Sequence, residues 1–299
     1  MRIVVRGEQA RLARVLGVAT FWLLLLSTSA SLAATELARG DRAWAQRAEG
    51  QVDGKAAAEP IRAAIDAYAA AVAVEPQSLE ASWKLLRALW FSANFTIDDL
   101  AGKRRIYERA GDESERSLGL LAEHFGDRER LSAATPEELR ARLAPDDARN
   151  AARLYFWSAI NLGEWSRIVG LVEAIRADVP NRLHEYALRS LALDPGVEQG
   201  GAIRMLSRLH ARVPHLPLVS SWVDRSQAVP LAASAVRRYP QHPWNLYVLG
   251  LAILDTAPER RAEGLSLLEQ TSTLTPRPDQ LVEDTAIRNA ARERLREER

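Results

Sequence analysis

The side chains best suited to catalysis or metal binding in this chain are five histidines, since it contains no cysteine. The run HEYAL (184–188) lacks the second histidine that a zinc-binding H-E-x-x-H helix requires. A proline stands between His210 and His215 and should end a helix there. The absence of cysteine excludes thiolate nucleophiles, thiolate metal sites and disulfides. The histidines are therefore expected to be surface or capping residues, with no metal bound.

The sequence also lacks the common catalytic and cofactor motifs. No phosphate-binding loop, dinucleotide fingerprint or nucleophile elbow occurs. The glycine pair of GGAIR (200–204) could bind an anion through free N–H groups with Arg204 nearby, although a tight turn is the favoured interpretation. The acid pairs Asp98–Asp99 and Asp146–Asp147 are typical of helix starts. We therefore expect neither an enzyme nor a cofactor.

The most unusual segment is LYFWSAINLGEW (154–165), which has four large aromatic residues and a single charge. Three of the aromatics are consecutive, so on a helix they spread around its circumference and pack against several neighbours. The alternative is an aromatic, ligand-lined cavity. Its predicted lining is Tyr155, Trp157, Asn161, Trp165, Trp222 and Trp244. Asn161 discriminates between the two, because a buried amide must find a hydrogen-bond partner.

One spacing recurs along the chain: a small or apolar residue, another four residues on, another three further on, and a proline five later. Offsets of four and three place the three residues on one helix face, and the proline ends the helix. The copies are Ala64/Tyr68/Ala71/Pro76, Ile168/Val172/Ile175/Pro180, Ala228/Ala232/Ala235/Pro240 and Gly264/Leu268/Thr271/Pro276. Each copy predicts a packed helix of a repeated unit.

The segment that follows Pro240 has the spacing of a tetratricopeptide repeat. Leu246, Leu249, Gly250 and Ile253 stand at the positions that the first helix of such a repeat uses, with Leu and Ile replacing Trp and Tyr. In the earlier unit, LGEW (162–165) falls where the turn belongs. This predicts helices over 146–161 and 165–178, with Trp165 opening the second.

Other segments are also helical in pattern. Residues 59–74 and 78–93 predict a helical hairpin, and 96–125 predicts two helices broken near Gly111. Thr135–Glu138 has the capping-box sequence of a helix start. Residues 215–227 predict a long apolar connection. No stretch alternates with strand periodicity, so the predicted fold class is all-α: a single compact, superhelical solenoid of tetratricopeptide-like α-hairpins over 34–285, with a charged helical tail over 286–299.

Residues 1–33 have the layout of a signal peptide: four arginines, the apolar stretch VLGVATFWLLLL (15–26), and small residues before Ala34. An uncleaved anchor is the alternative. Removing the segment takes away four arginines and one glutamate, which changes the net charge from +1 to −2. This near-neutral charge does not indicate nucleic-acid binding. No cysteine is present to carry an N-terminal lipid, so a cysteine-anchored lipoprotein is excluded.

From about residue 150 to 285 the chain resembles the TatT family, periplasmic components associated with tripartite ATP-independent periplasmic (TRAP) transporters. The likeness lies in the order of LYFWSAINLGEW, DPGVEQGGAIRMLSRLHARVPHLPL, SSWVDRSQA and RRYPQHPWNLYVLGLAIL. It implies an all-helical, tetratricopeptide-like periplasmic protein that works with a solute receptor and handles an apolar ligand. Members typically carry a lipid on a cysteine, which is absent here.

These observations predict an exported binding and adaptor protein. Its expected partner is a periplasmic solute-binding receptor or another envelope protein, and a homo-oligomer is a further possibility. Two alternatives stay open: a carrier of a small apolar ligand held by the aromatic residues above, and a purely structural envelope scaffold.

Overall fold

The computed structural model describes residues 31–217 and 219–298, and over these residues the fold is all-helical. A single isolated antiparallel bridge, Val52 to Lys55, is the only β-pairing in this part of the chain. The predicted signal segment lies outside the described residues except for 31–33, which begin the described part of the first helix. None of the helices described is both long and apolar enough to cross a bilayer.

Fourteen helices follow one another through the described residues. They are α1 (31–45), α2 (Ala58–Val74), α3 (Leu79–Phe95), α4 (Leu100–His124), α5 (Arg128–Ala133), α6 (Pro136–Arg142), α7 (Pro145–Val169), α8 (Leu171–Arg176), α9 (Val179–Leu193), α10 (Gly201–Arg212), α11 (Ala228–Arg238), α12 (Pro243–Thr256), α13 (Arg261–Thr273) and α14 (Leu281–Glu297).

Local sequence signals explain several of these boundaries. The side chain of Ser78 caps α3, and Pro76 lies in the turn before it, which confirms the predicted α2–α3 hairpin. Thr135 and Glu138 form the predicted capping box at α6. Asp146 and Asp147 occupy the first turn of α7, where acids interact favourably with the helix dipole.

By their contacts, the longer helices from α2 onward fall into two series, which we call the inner and the outer layer. In the inner layer α3 contacts α7, α10 contacts α12, and α12 contacts α14. Phe156 of α7 lies against Gly201 of α10 and completes the series. The outer layer consists of α2, α4, α9, α11 and α13. Each of the last four contacts two inner helices: α4 contacts α3 and α7, α9 contacts α7 and α10, α11 contacts α10 and α12, and α13 contacts α12 and α14.

The two ends of the described chain meet. Arg47, just after α1, donates from Nε to Glu283 Oε1 of α14 at 2.8 Å, and both side chains are buried. A second bond runs from Arg47 to the carbonyl oxygen of Asp279. Beside Arg47, Trp44 of α1 lies edge-on to Phe91 of α3 with ring centroids 5.5 Å apart. The inner helices α1, α3, α7, α10, α12 and α14 therefore form a closed circuit of contacts.

Three of the four copies of the recurring spacing pack as predicted. Their three helix residues are buried: Ala64, Tyr68 and Ala71; Ala228, Ala232 and Ala235; Gly264, Leu268 and Thr271. Pro76, Pro240 and Pro276 lie in the connections that follow. In these three units the spacing identifies the face by which a helix packs on its neighbours.

The prediction that the second copy of the spacing, Ile168/Val172/Ile175, forms one packed helix face is wrong. The α7 helix continues through LGEW (162–165) to Val169, so this segment is not a turn, and Trp165 lies near the end of α7 instead of opening a new helix. The break comes at Gly170, whose φ of +84° suits a residue without a side chain. Val172 and Ile175 beyond it are 65% and 40% exposed.

Two further boundaries differ from expectation. The α4 helix runs without a break through Gly111, so the predicted pair of helices is a single one. At the other end, α14 begins at Leu281, and the tail expected from residue 286 is its continuation. Ile287 and Ala291 in that tail are buried, because one face of α14 packs against α12 and α13.

Candidate functional site

The predicted aromatic residues of α7 face different neighbours. Tyr155 is buried, with its ring 5.6 Å from Tyr186 of α9, and burial raises the pKa of its hydroxyl. Trp157 is also buried, but its ring lies 5.2 Å from Trp90 of α3. Consecutive aromatics thus pack on several sides of α7, as expected for an internal helix.

Asn161 is buried and only partly satisfied. Its Nδ2 donates to the carbonyl oxygens of Leu86 at 3.1 Å and Trp157 at 2.8 Å, which ties α7 to α3. Its Oδ1 has no hydrogen-bond partner among residues 31–217 and 219–298. The Nε1 of Trp157 is likewise buried without one. Two unpaired polar atoms therefore occur one turn apart on α7.

The remaining predicted residues lie elsewhere. Trp222 stacks on His184 of α9, with centroids 4.0 Å apart and rings 2° from parallel, and its Nε1 donates to Asn181 at 2.8 Å. This contact holds the connection between α10 and α11 against α9. Trp244 of α12 is half-buried, 6.4 Å from Tyr247. Trp165 is half-buried near the end of α7.

The six predicted residues do not line either of two clefts in the described part of the chain. The first cleft, of about 340 Å³, lies between Gly54, Phe95 and Ala286. The second, of about 420 Å³, lies between Leu79, Leu121 and Leu143. The structure brings Trp157 and Asn161 together on α7, whereas Tyr155, Trp165, Trp222 and Trp244 have other surroundings.

The inner helices bring together a different set of residues, which we call the arginine–tryptophan ladder: Arg47, Trp44, Arg87, Trp83 and Arg153. The guanidinium carbons of Arg47 and Arg87 lie 4.3 and 3.9 Å from the Trp44 ring centre. Those of Arg87 and Arg153 lie 4.8 and 5.4 Å from the Trp83 ring centre. Cations therefore alternate with aromatic faces across α1, α3 and α7.

Helix geometry positions the ladder. Trp83 and Arg87 are one turn apart on α3 and share a face. On α7, Asn150 and Arg153 also share a face, and Asn150 Oδ1 accepts from Trp83 Nε1 at 3.0 Å. This hydrogen bond fixes the register of α7 against α3, so that Arg153 reaches the second tryptophan.

The ladder contains more positive charge than its acids balance. Arg47 is paired with Glu283, and Arg153 lies 3.9 Å from Glu198. Among the described residues Arg87 makes no ion pair, and its Nε is buried without a hydrogen-bond partner. Burial lowers the pKa of Arg87, while Tyr68 and Glu198 partly offset that effect. Arg87 is thus a desolvated cation that still keeps some solvent exposure.

A second arginine approaches the same acid from α10. Burial lowers the pKa of Arg204 to about 10, and Glu198 partly offsets this. Arg204 donates to Asn245 Oδ1 at 2.7 Å and to the carbonyl oxygens of Glu198 and Gln199. These two residues have φ values of +44° and +49°, a left-handed conformation that costs free energy in non-glycine residues. Arg204 therefore holds a strained loop whose carboxylate faces the ladder.

The arrangement is suited to binding, because guanidinium forks and tryptophan faces recognise planar anions and aromatic groups. Within the described residues, no group of three or more His, Asp or Glu side chains is placed to hold a metal ion. The one-turn spacing of Trp83 and Arg87 is the one sign of the ladder that can be recognised in the sequence. The partners from α1 and α7 are set by tertiary packing alone.

No protein-family model matches this chain, and no curated protein is significantly similar to it.

Proposed function

We propose that this chain is a non-catalytic helical-repeat protein that binds its ligand on the inner layer of helices. The observation that carries the proposal is the arginine–tryptophan ladder, in which α1, α3 and α7 present alternating cations and aromatic faces. Helices stacked in two layers commonly bind ligands or partners on the inner surface. The contacts of α10 with α12 and of α12 with α14, which continue the inner series, support this proposal.

The repeat in this proposal is tetratricopeptide-like. Three copies of the recurring spacing are buried helix faces, and the clearest unit is α12 followed by α13. There the helices approach closely, because Gly250 and Gly264 face each other: a Cβ on Gly250 would lie 3.0 Å from the Gly264 carbonyl oxygen. Small residues at a helix crossing are what the tetratricopeptide pattern supplies at these positions.

We further propose a TatT-like role for the protein in the periplasm, beside the solute receptor of a TRAP-type transporter. The support is the order of motifs between residues 150 and 285 together with the signal-like residues 1–33. In this role the chain is an adaptor, which passes or retains a ligand that the receptor also binds. The receptor is then the expected protein partner.

A second candidate, a carrier of a small apolar ligand, is favoured by one observation. Among the described residues, the Nε1 of Trp157 and the Oδ1 of Asn161 are both buried without partners, and the Trp157 ring lies 5.2 Å from that of Trp90. Ligand pockets commonly combine apolar walls with a few polar atoms of this kind. A carrier would act without a receptor, so a stable receptor complex distinguishes the adaptor from the carrier.

The adaptor role is tested by mild, reversible cross-linking and affinity capture of the tagged chain from the exported fraction of its natural source. The expected result is enrichment of one solute receptor, identified by mass spectrometry. An unrelated exported helical protein with the same tag is the control. Capture of no solute receptor, or equal capture by the control, would contradict the adaptor proposal.

A further inference from the structure

We infer that the ladder and Arg204 form the head-group site for a small organic anion, a carboxylate joined to a flat apolar body. The inference rests on the proposed function in one respect, namely that the inner layer is the binding surface. It does not depend on a receptor. The site consists of Arg87, Arg153 and Arg204 around Glu198, with Trp83 and Trp44 as its aromatic walls.

The charges at this site indicate the sign of the ligand. Glu198 is the acid within electrostatic reach of Arg87, Arg153 and Arg204. It lies 3.9 Å from Arg153, a loose ion pair in which both side chains keep about 30% exposure. Desolvated cations without matching acids are costly to hold. A bound anion would offset that cost, whereas a bound cation would add to it.

Unused donors indicate where the anion would lie. Within the described part of the chain the buried Nε–H of Arg87 has no acceptor, although an arginine and a carboxylate readily form paired, charge-assisted hydrogen bonds. The ring centres of Trp44 and Trp83 lie 3.9 and 4.8 Å from the guanidinium carbon of Arg87, so a ligand would have to approach this guanidinium at its edge. A planar carboxylate matches such an edge better than a spherical ion does.

Apolar side chains adjoin the charged group along each helix. Trp90 follows Arg87 by one turn on α3, and Ile160 lies two turns beyond Arg153 on the same face of α7. Met205 follows Arg204 on α10. All three are only partly buried and pack against the main core, so they leave apolar surface beside the cations. The ligand body is therefore expected to be apolar and flat.

The test uses a matched pair of fluorescent probes: 8-anilinonaphthalene-1-sulfonate, which is anionic, and N-phenyl-1-naphthylamine, which has the same aromatic system without the charge. The purified chain is titrated with each. The anionic probe should bind at least about tenfold more tightly, a difference of about 1.4 kcal/mol. Equal affinity for the two probes would overturn the inference.

Variants locate the site. Arg87→Gln and Arg153→Gln should each weaken binding of the anionic probe by about tenfold or more, a loss of about 1.4 kcal/mol. Arg62→Gln is the matched control, because Arg62 is an exposed residue of α2 that pairs only with Glu59 on its own helix. Urea unfolding of each variant checks that it is folded. Unchanged probe affinity in both folded inner-layer variants would overturn the inference.

Competition tests the head group and the body separately. Benzoate should displace the anionic probe, whereas benzamide, which lacks the charge, should not. Inorganic phosphate at the same concentration and ionic strength should displace little, because it lacks an apolar body. Displacement by benzamide or phosphate equal to that by benzoate would contradict the assigned ligand class. All these measurements use the purified chain alone, so their failure is distinct from a failure to capture a receptor.

Discussion

The guanidinium carbons of Arg87 and Arg47 lie 3.9 and 4.3 Å from the ring centre of Trp44. Trp44 thus joins a cation of α3 to one at the end of α1. Since cation–π contacts are strongest where water is excluded, this pairing ties the N-terminal helix to the inner layer. Arg47 also forms an ion pair with Glu283 of α14. The contacts of Trp44 with the two arginines therefore help to connect α3 to α14 and so to close the circuit of inner helices.

Trp44→Ala should lower the free energy of unfolding by about 3 kcal/mol. This value is at the lower end of the range for truncating a large aromatic residue, because Trp44 is only half-buried. Trp44→Phe should cost about half as much, since it keeps a smaller aromatic face for Arg87. Urea unfolding of both variants measures the difference. Equal stability of the alanine and phenylalanine variants would show that the aromatic face contributes nothing.

The Arg47–Glu283 pair joins the two ends of the described chain, with side chains only 5% and 7% exposed. Glu283→Ala should destabilise the fold by about 3–5 kcal/mol, because it leaves Arg47 as a buried cation without its acid. Replacing both residues, as Arg47→Met with Glu283→Leu, should restore much of that loss by removing both charges. Urea denaturation provides the comparison. The prediction fails if the double variant is as unstable as Glu283→Ala.

Two glycines in helices should respond to alanine in opposite directions. Gly250→Ala should destabilise by about 1–3 kcal/mol, because its new Cβ would lie 3.0 Å from the backbone oxygen of Gly264. Gly111→Ala in α4 should instead stabilise by about 0.5–1 kcal/mol, since nothing lies within 4 Å of its new Cβ and alanine is the better helix former. Thermal unfolding monitored by circular dichroism measures both. The same sign for both would contradict the close α12–α13 crossing.

His242 should make the fold sensitive to mild acid. Burial, Arg204 and Arg277 lower its pKa to about 3, and its Nδ1 has no hydrogen-bond partner. The unfolded chain, with a histidine pKa near 6.5, takes up this proton first. The contribution of His242 to the free energy of unfolding is therefore fully present above about pH 6.5, and it is lost progressively as the pH drops from about 6.5 towards 3.

His242→Gln removes this titration, so its unfolding free energy should fall less between pH 7 and pH 5 than that of the unchanged chain. Urea unfolding at the two pH values gives the comparison, and it avoids the lower range in which carboxylates titrate. His124→Gln is the matched control, because His124 lies on the exposed surface at the end of α4. Identical pH dependence in His242→Gln and the unchanged chain would refute the prediction.

Much of the helical architecture follows from local sequence signals. The buried stripe Ala64, Tyr68 and Ala71 and the capping box at Thr135 could be identified from spacing and residue type. The sequence does not show whether α7 ends at Gly163 or at Gly170. Gly163 stays in α7, where a Cβ on it would lie 3.8 Å from Leu183 of α9, a proximity that the sequence does not reveal. Only tertiary packing distinguishes a glycine tolerated in a helix from one that ends it.

The candidate site was harder to predict for the same reason. The many aromatic residues within 154–165 indicate a candidate site there. In the structure, however, Tyr155 packs against α9 and Trp157 packs against α3. The ladder combines single residues from segments far apart in sequence. Its spacing within α3 is local, but the approach of Trp44 and Arg153 depends on how α1 and α7 pack against α3.

The most direct test of the account is a crystal structure of the chain with 2-naphthoate, a flat aromatic carboxylate. We expect the carboxylate within about 3.2 Å of the guanidinium nitrogens of Arg87 or Arg153, with the rings against Trp90 and Ile160. Naphthoate bound only at other surfaces, with the ladder unchanged and free of ligand at saturating concentration, would contradict it.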